Sequence, residues 1–333
     1  MRRGVRASWC LAAAGLALAI VLLLLAQPRT VVTFALRARP TWLLAAFSGT
    51  LAVTVLRGAR LALLVGRPLA PGPATAVAAV SQLASGVLPL RLGELAMVPL
   101  LLAVGLPGAA GGLTVLVLAR LLDVMAILAW TAVAAALIGG NPTFALAALL
   151  VFVPSAALAA VLAGRLLARV ARPWRHRRGW RRRVLAQALR VRRAVAGAAR
   201  SPGRAWGSLA CSLLLWGGIW GVTVLLLRGM ALDWPVASVL LGVVGAALGS
   251  SVPVSSFGTF GPQEAGWTGA LAGVGVPARQ ALAAGFASHL WVLVFTIVLG
   301  LAAAVYLLRV HPGSSTSTLL ASVRSFLSSR RGP

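Results

Sequence analysis

The sequence contains no lysine, and among its 333 residues only four are acidic: Glu94, Asp123, Asp233 and Glu264. All 31 basic residues are therefore arginine, and charged residues make up 11% of the chain, against roughly 25% in soluble globular domains. So little charge excludes a well-solvated surface. The two cysteines, Cys10 and Cys211, stand alone in apolar surroundings and exclude a disulfide framework. The three histidines lie far apart, and neither clustered thiols and acids nor a Walker-type phosphate loop is present. Neither an enzyme active site nor a resident metal or cofactor is expected.

What fills the chain instead is apolar: 60% of residues are hydrophobic and the mean hydropathy is +0.95. Apolar runs long enough to cross a hydrocarbon core of ~30 Å as helices recur from end to end, which predicts one all-α polytopic membrane domain over residues 1–333. The arginine-led N-terminus resembles a signal sequence, but its apolar stretch is too long, so it is read as an uncleaved first span. Six full spans are expected at about 9–26, 41–64, 110–138, 143–165, 206–228 and 278–308. Pro73 to Pro107 and Pro235 to Pro277 each hold two shorter apolar pieces broken by proline and glycine. These read as re-entrant or broken-helix hairpins.

Charge sets the orientation. Fourteen arginines fall between Arg165 and Arg204, a basic loop at 165–204 that the positive-inside rule puts in the cytoplasm. Counting crossings from a cytoplasmic N-terminus agrees with this, and also places Arg57, Arg60, Arg67, Arg309 and the tail at 309–333 inside. The first hairpin then opens from the inside and the second from the outside. The loop includes a stretch able to form a basic amphipathic helix, with Leu189, Val191 and Val195 on its less charged side. Anionic inner-leaflet lipid is its expected partner, and nucleic acid is not.

The two hairpins are related in sequence. ELAMVPLLLAVGLP, Glu94 to Pro107, aligns without gaps on EAGWTGALAGVGVP, Glu264 to Pro277, at an offset of 170. Residues 41–138 and 206–308 thus read as two copies of span, hairpin and span, oppositely oriented: an inverted repeat of the kind that many secondary transporters use.

An ionised side chain at the centre of a membrane helix costs about 2.5–3.5 kcal/mol on insertion scales, so each one is a functional candidate. In PLRLGE, Arg91 and Glu94 flank the start of a half-helix. Arg91 suits a lipid phosphate, while Glu94 would cap the helix, bind a cationic headgroup or carry a proton. A structural i,i+3 pair is an equally good account. SSVPVSSFGTFGPQEAGW offers Ser255, Ser256 and Thr259 ahead of Glu264, the strongest single candidate. Arg120 and Asp123 share a face of the third span, where a neutralised structural pair is favoured. His289 corresponds roughly to Arg120 in the other copy, and a packing role outweighs one in a proton relay with Glu94 and Glu264. Two glycine pairs, Gly245 with Gly249 and Gly269 with Gly273, predict close helix packing.

At VLPLRLGELA, ARLLDVMAI and VPVSSFGTFGPQEAG the chain resembles the lysylphosphatidylglycerol synthase transmembrane region family, also called the flippase-like domain family, from about residue 10 to 308. The resemblance rests on P-x-R-x-G-E at Pro89, Arg91, Gly93 and Glu94, on R-x-x-D at Arg120 and Asp123, and on the run ending at Glu264. It implies a multi-pass inner-membrane protein that moves a lipid headgroup between leaflets. The cytoplasmic transferase of full-length synthases is not expected in the short tail before Pro333.

Three functions are carried forward: a flippase-like transporter of a phosphate-bearing lipid, with Arg91, Glu94, Arg120, Asp123, Ser256 and Glu264 binding substrate; a membrane scaffold positioning a separate lipid-modifying enzyme through the basic loop; and a proton-coupled carrier of a small solute.

Overall fold

The computed structural model describes residues 2–65, 69–88, 92–106, 108–140, 180–199, 201–251 and 259–310. Every regular element among them is helical: α1 (Arg2–Leu25), α2 (Pro28–Arg37), α3 (Pro40–Val65), α4 (Pro71–Val87), α5 (Leu92–Leu95), α6 (Met97–Ala103), α7 (Ala109–Ile138), α8 (Trp180–Ala199), α9 (Pro202–Gly229), α10 (Val236–Ser250), α11 (Pro262–Ala272) and α12 (Ala278–Val310).

Four of these, α3, α7, α9 and α12, are long and apolar enough to cross a membrane. Even α3, with 26 residues, reaches about 39 Å at 1.5 Å per residue. They coincide with four of the six expected spans. The expected first span differs: α1 and α2 are bent by 77° and together make one further candidate crossing. Pro28 opens α2, and Gln27 before it, at a φ of 60°, turns the chain between the two helices. The expected span at 143–165 lies outside the described residues, as do the arginine block up to residue 179 and the tail beyond 310. The described residues therefore hold four or five crossings rather than six.

The long helices are apolar outside and small inside. Leu44, Leu51, Val55, Val124, Leu214, Leu301 and Val305 are exposed, as side chains facing lipid would be. Ala281, Ala283, Ala284 and Ala287 of α12 are fully buried. Lipid tails are as apolar as leucine, so burial gives little drive between membrane helices; close backbone approach through small residues supplies the packing.

Both hairpins consist of short helices. The 17 residues of α4 reach about 26 Å, the 15 of α10 about 23 Å and the 11 of α11 about 17 Å, each less than the hydrocarbon core. The return arm of the first hairpin breaks at Ala96, between α5 and α6. Pro99 accounts for the break, since it cannot donate to the carbonyl of Leu95 and its ring crowds that oxygen. Both return arms end in the same turn. The Leu106 N–H donates to Leu101 O at 2.9 Å and the Val276 N–H to Leu271 O at 3.1 Å, with Gly105 and Gly275 at φ 96° and 89°.

Packing brings the two hairpins together. Helices α3 and α9 run antiparallel, with Trp42 beside Gly229, Gly49 beside Val222, Val53 beside Gly218 and Leu63 beside Gly207. Helix α4 lies antiparallel on α12, with Gly72 against Tyr306 and Gly300 against Leu83. Helix α10 packs on α11 and on α7. The glycine pair Gly245 and Gly249 does what its spacing predicts: an added Cβ would lie 2.3 Å from Gly266 O or 2.0 Å from Pro262 O. The pair Gly269 and Gly273 does not, because Gly269 faces open space.

Candidate functional site: a charged cavity between the hairpins

Asp123 lies halfway along α7 and is only 6% exposed, although a buried carboxylate needs partners to be tolerated. It has three. Its Oδ1 accepts from Arg60 at 2.5 Å and from Trp216 Nε1 at 3.2 Å, and its Oδ2 accepts from Arg120 at 3.0 Å. Arg60 also donates to Ser212 at 3.1 Å, and Arg120 reaches Glu94 Oε1 at 3.0 Å. The result is a chain of alternating charge, Glu94, Arg120, Asp123 and Arg60, which joins the first hairpin to α7, α3 and α9. Among the described residues it alternates two acids with two bases.

Glu94 reaches this chain because the arms of the first hairpin nearly touch. A Cβ on Gly93 would lie 2.0 Å from the carbonyl carbon of Ala84, so only glycine fits between α4 and α5. The glycine in RLGEL thus sets the position of the glutamate beside it.

Glu264 is 1% exposed and stands in the first turn of α11. Its Oε2 accepts the Gly261 N–H at 2.7 Å, a capping bond made by the third helical residue. Its Oε1 lies 2.5 Å from His289 Nδ1. The His289 ring packs on Phe260 at 4.3 Å between centroids, and its Nε2 is 3.5 Å from Thr259 Oγ1. Thr259 has a φ of 61°, a left-handed conformation that costs a non-glycine residue about 1–2 kcal/mol. Each hairpin therefore presents a glutamate to a basic side chain in the following span: Glu94 to Arg120, and Glu264 to His289.

The two sets meet in one space. A cavity of about 320 Å³ is lined by Arg57, Arg60, Glu94, Arg120, Asp123 and His289, with Leu61, Leu64, Met97 and Leu293 among its apolar walls. A second space of about 180 Å³ reaches Glu264 and shares Trp216, Gln263 and His289 with the first. Among the described residues no group of three or more histidines, cysteines or acids is placed to hold a metal ion.

The structure thus brings together Glu94, Arg120, Asp123, Glu264 and His289 of the sequence-predicted set. Arg91, Ser255 and Ser256 lie outside the described residues. Arg57 and Arg60 had been expected to mark only the cytoplasmic end of a span; Arg60 instead turns inward and is 8% exposed. Their i,i+3 spacing on α3 was the available signal, and proximity to the span end masked it. Trp216 and Gln82 at the cavity, and Ser212 behind Arg60, had no sequence signal, because only packing of α9 and α4 brings them there.

A helical body with several lipid-facing spans, two short hairpins and a charged cavity between them defines a multi-pass membrane protein with a polar interior. The chain belongs to the lysylphosphatidylglycerol synthase TM region family, which it matches over residues 12–300. No curated protein and no solved structure matches it.

Proposed function

We propose that this protein is a flippase-like transporter that moves a phosphate-bearing lipid, or a lipid-linked headgroup, between the leaflets of the cell membrane, with both termini cytoplasmic. The observation that carries the proposal is the shared cavity, where residues from both hairpins gather ionisable groups among helices long and apolar enough to cross a membrane. A cavity of this size accommodates a headgroup but not two acyl chains, which stay in the lipid. The family is a membrane region of lipid-synthase-like proteins, which supports a lipid as the cargo. No covalent step is part of the proposal.

The inverted repeat belongs to this reading. It is supported by the matching turns at Gly105 and Gly275, the antiparallel pairing of α3 with α9, and the matched contacts of Glu94 with Arg120 and Glu264 with His289. Under this arrangement the hairpins act as gates facing opposite leaflets. The test is a leaflet assay in proteoliposomes with phosphatidylglycerol labelled on an acyl chain, quenched from outside. Wild-type protein is expected to raise the exchange rate above that of empty vesicles, and Glu264→Gln to lower it by about tenfold or more. Wild-type vesicles that exchange no faster than empty ones, with anionic, aminoacylated and polyprenyl-phosphate lipids alike, would reject the proposal.

One observation favours the scaffold as a second reading. Helix α8 docks on α7, with Gln187 donating to Thr114 at 3.1 Å, while Arg190 and Arg193 remain exposed. A partner enzyme or anionic inner-leaflet lipid suits that face. If neutralising those two arginines abolishes function while Glu264→Gln does not, the scaffold replaces the transporter.

A further inference from the structure

Three arginines line the larger cavity, and two of them are matched by carboxylates. Arg57 is the third. Among the described residues no carboxylate lies within ion-pair distance of it, and its hydrogen-bond partner is neutral, the side-chain oxygen of Gln82 on α4. Among the described residues the lining carries three guanidinium groups against two carboxylates, Glu94 and Asp123, while His289 is matched by Glu264. A guanidinium does not shed its proton at ordinary pH, so the surplus charge has to be met by water or by a bound anion.

The chemistry around Arg57 favours the anion. Gln82 uses its carbonyl on Arg57, which leaves its amide NH2 to donate, and Arg57 keeps most of its N–H donors for another partner. A pair whose remaining groups all donate matches a ligand that only accepts. On the same wall of α4 the Ser81 and Ser85 hydroxyls are turned to backbone carbonyls and do not compete for it. Leu61, Leu64 and Met97 bound the cavity with apolar surface, which strengthens a charge-assisted bond and suits the glycerol end of an amphiphile.

We propose that Arg57 and Gln82 form the receptor for the phosphodiester monoanion of a lipid headgroup. Arg57, the one guanidinium of the described lining without a carboxylate partner, also sets a preference. A phosphodiester brings one negative charge, whereas a phosphomonoester brings about 1.5 to 2 at neutral pH and overcompensates the site. The site deepens the transport reading and rests on it for what the bound lipid goes on to do. Binding itself is measured at equilibrium and needs no translocation.

The experiment is a titration of the purified full chain in mild detergent, followed by native mass spectrometry, with four probes: phosphatidylglycerol, phosphatidic acid, diacylglycerol and soluble glycerophosphoglycerol. Phosphatidylglycerol is expected to bind most tightly and diacylglycerol not to compete. Arg57→Gln removes the surplus charge, and Gln82→Glu seats a carboxylate where the phosphate would lie. Both are expected to weaken phosphatidylglycerol binding by about tenfold or more. Neither is expected to lower the melting temperature, since each relieves an unmatched charge. Binding within about twofold of wild type in both variants would overturn the proposal. So would a fall in melting temperature in both, which would make Arg57 a structural residue. Equal affinity for glycerophosphoglycerol would reassign the site to a soluble anion. Should binding behave as expected while the leaflet assay shows no exchange, the receptor stands and the transport reading fails.

Discussion

Asp123 illustrates how unequal the acidic residues of this chain are. Its carboxylate is buried and takes three donors, one of them from Arg60, which is itself buried. Removing one partner of such a pair strands the other, at a cost of about 3–5 kcal/mol, more than the pair contributes when intact. Asp123→Ala is therefore expected to lower the melting temperature sharply or prevent folding in detergent. Asp233, whose side chain is 86% exposed and 3.7 Å from Arg228, is the control. Asp233→Ala is expected to leave the melting temperature unchanged, because solvent screens an exposed pair. Equal effects in the two variants would mean that the chain of charge is not a structural tie. At this scale scarcity made the site legible: with four acids in 333 residues, those in apolar runs identified themselves. The arginines did not. With 31 of them, Arg57 and Arg60 could not be told from topological charge until the rotation of α3 was known.

Among the helices, what was legible depended on length. The four long spans lie within a few residues of their expected limits, since a bilayer fixes how many apolar residues a crossing needs. The bend between α1 and α2 was harder to read, because Pro28 could end a helix or redirect it. Glycine spacing was legible in one pair only. Gly245 and Gly269 each have a glycine four residues on, and nothing in that pattern says which face meets a neighbour. The contrast is testable. Gly249→Val would drive a side chain into the Pro262 carbonyl, 2.0 Å from the added Cβ, and is expected to separate α10 from α11 and abolish folding. Gly269→Ala, in open space within α11, is expected to stabilise by roughly 0.5–1 kcal/mol through helix propensity alone. Thermal unfolding of the two variants measures both effects. A stable Gly249→Val protein would show that the hairpin arms are looser than their glycines suggest.

For the whole molecule, the proposed inverted repeat makes a demand that no single residue can meet: equivalent positions must face opposite sides of the membrane. Ala109 and Arg279 are such positions, related by the same offset of 170 and each placed in the first turn of the span after its hairpin. Antiparallel pairing of α3 with α9 fits this demand, since two copies of one unit related by an axis in the membrane plane must run in opposite directions. If the arginine-rich loop is cytoplasmic, as the proposed orientation has it, Ala109 would be inside and Arg279 outside. The check is labelling of intact cells with a membrane-impermeant maleimide, in a background where Cys10 and Cys211 are replaced by alanine. The Arg279→Cys variant is expected to be labelled at once, and the Ala109→Cys variant only after the cells are broken. If both are labelled from the same side, the hairpins open to one leaflet. A transporter with alternating gates at Glu94 and Glu264 would then have no second door, and the cavity would have to be a binding pocket open to one side of the membrane.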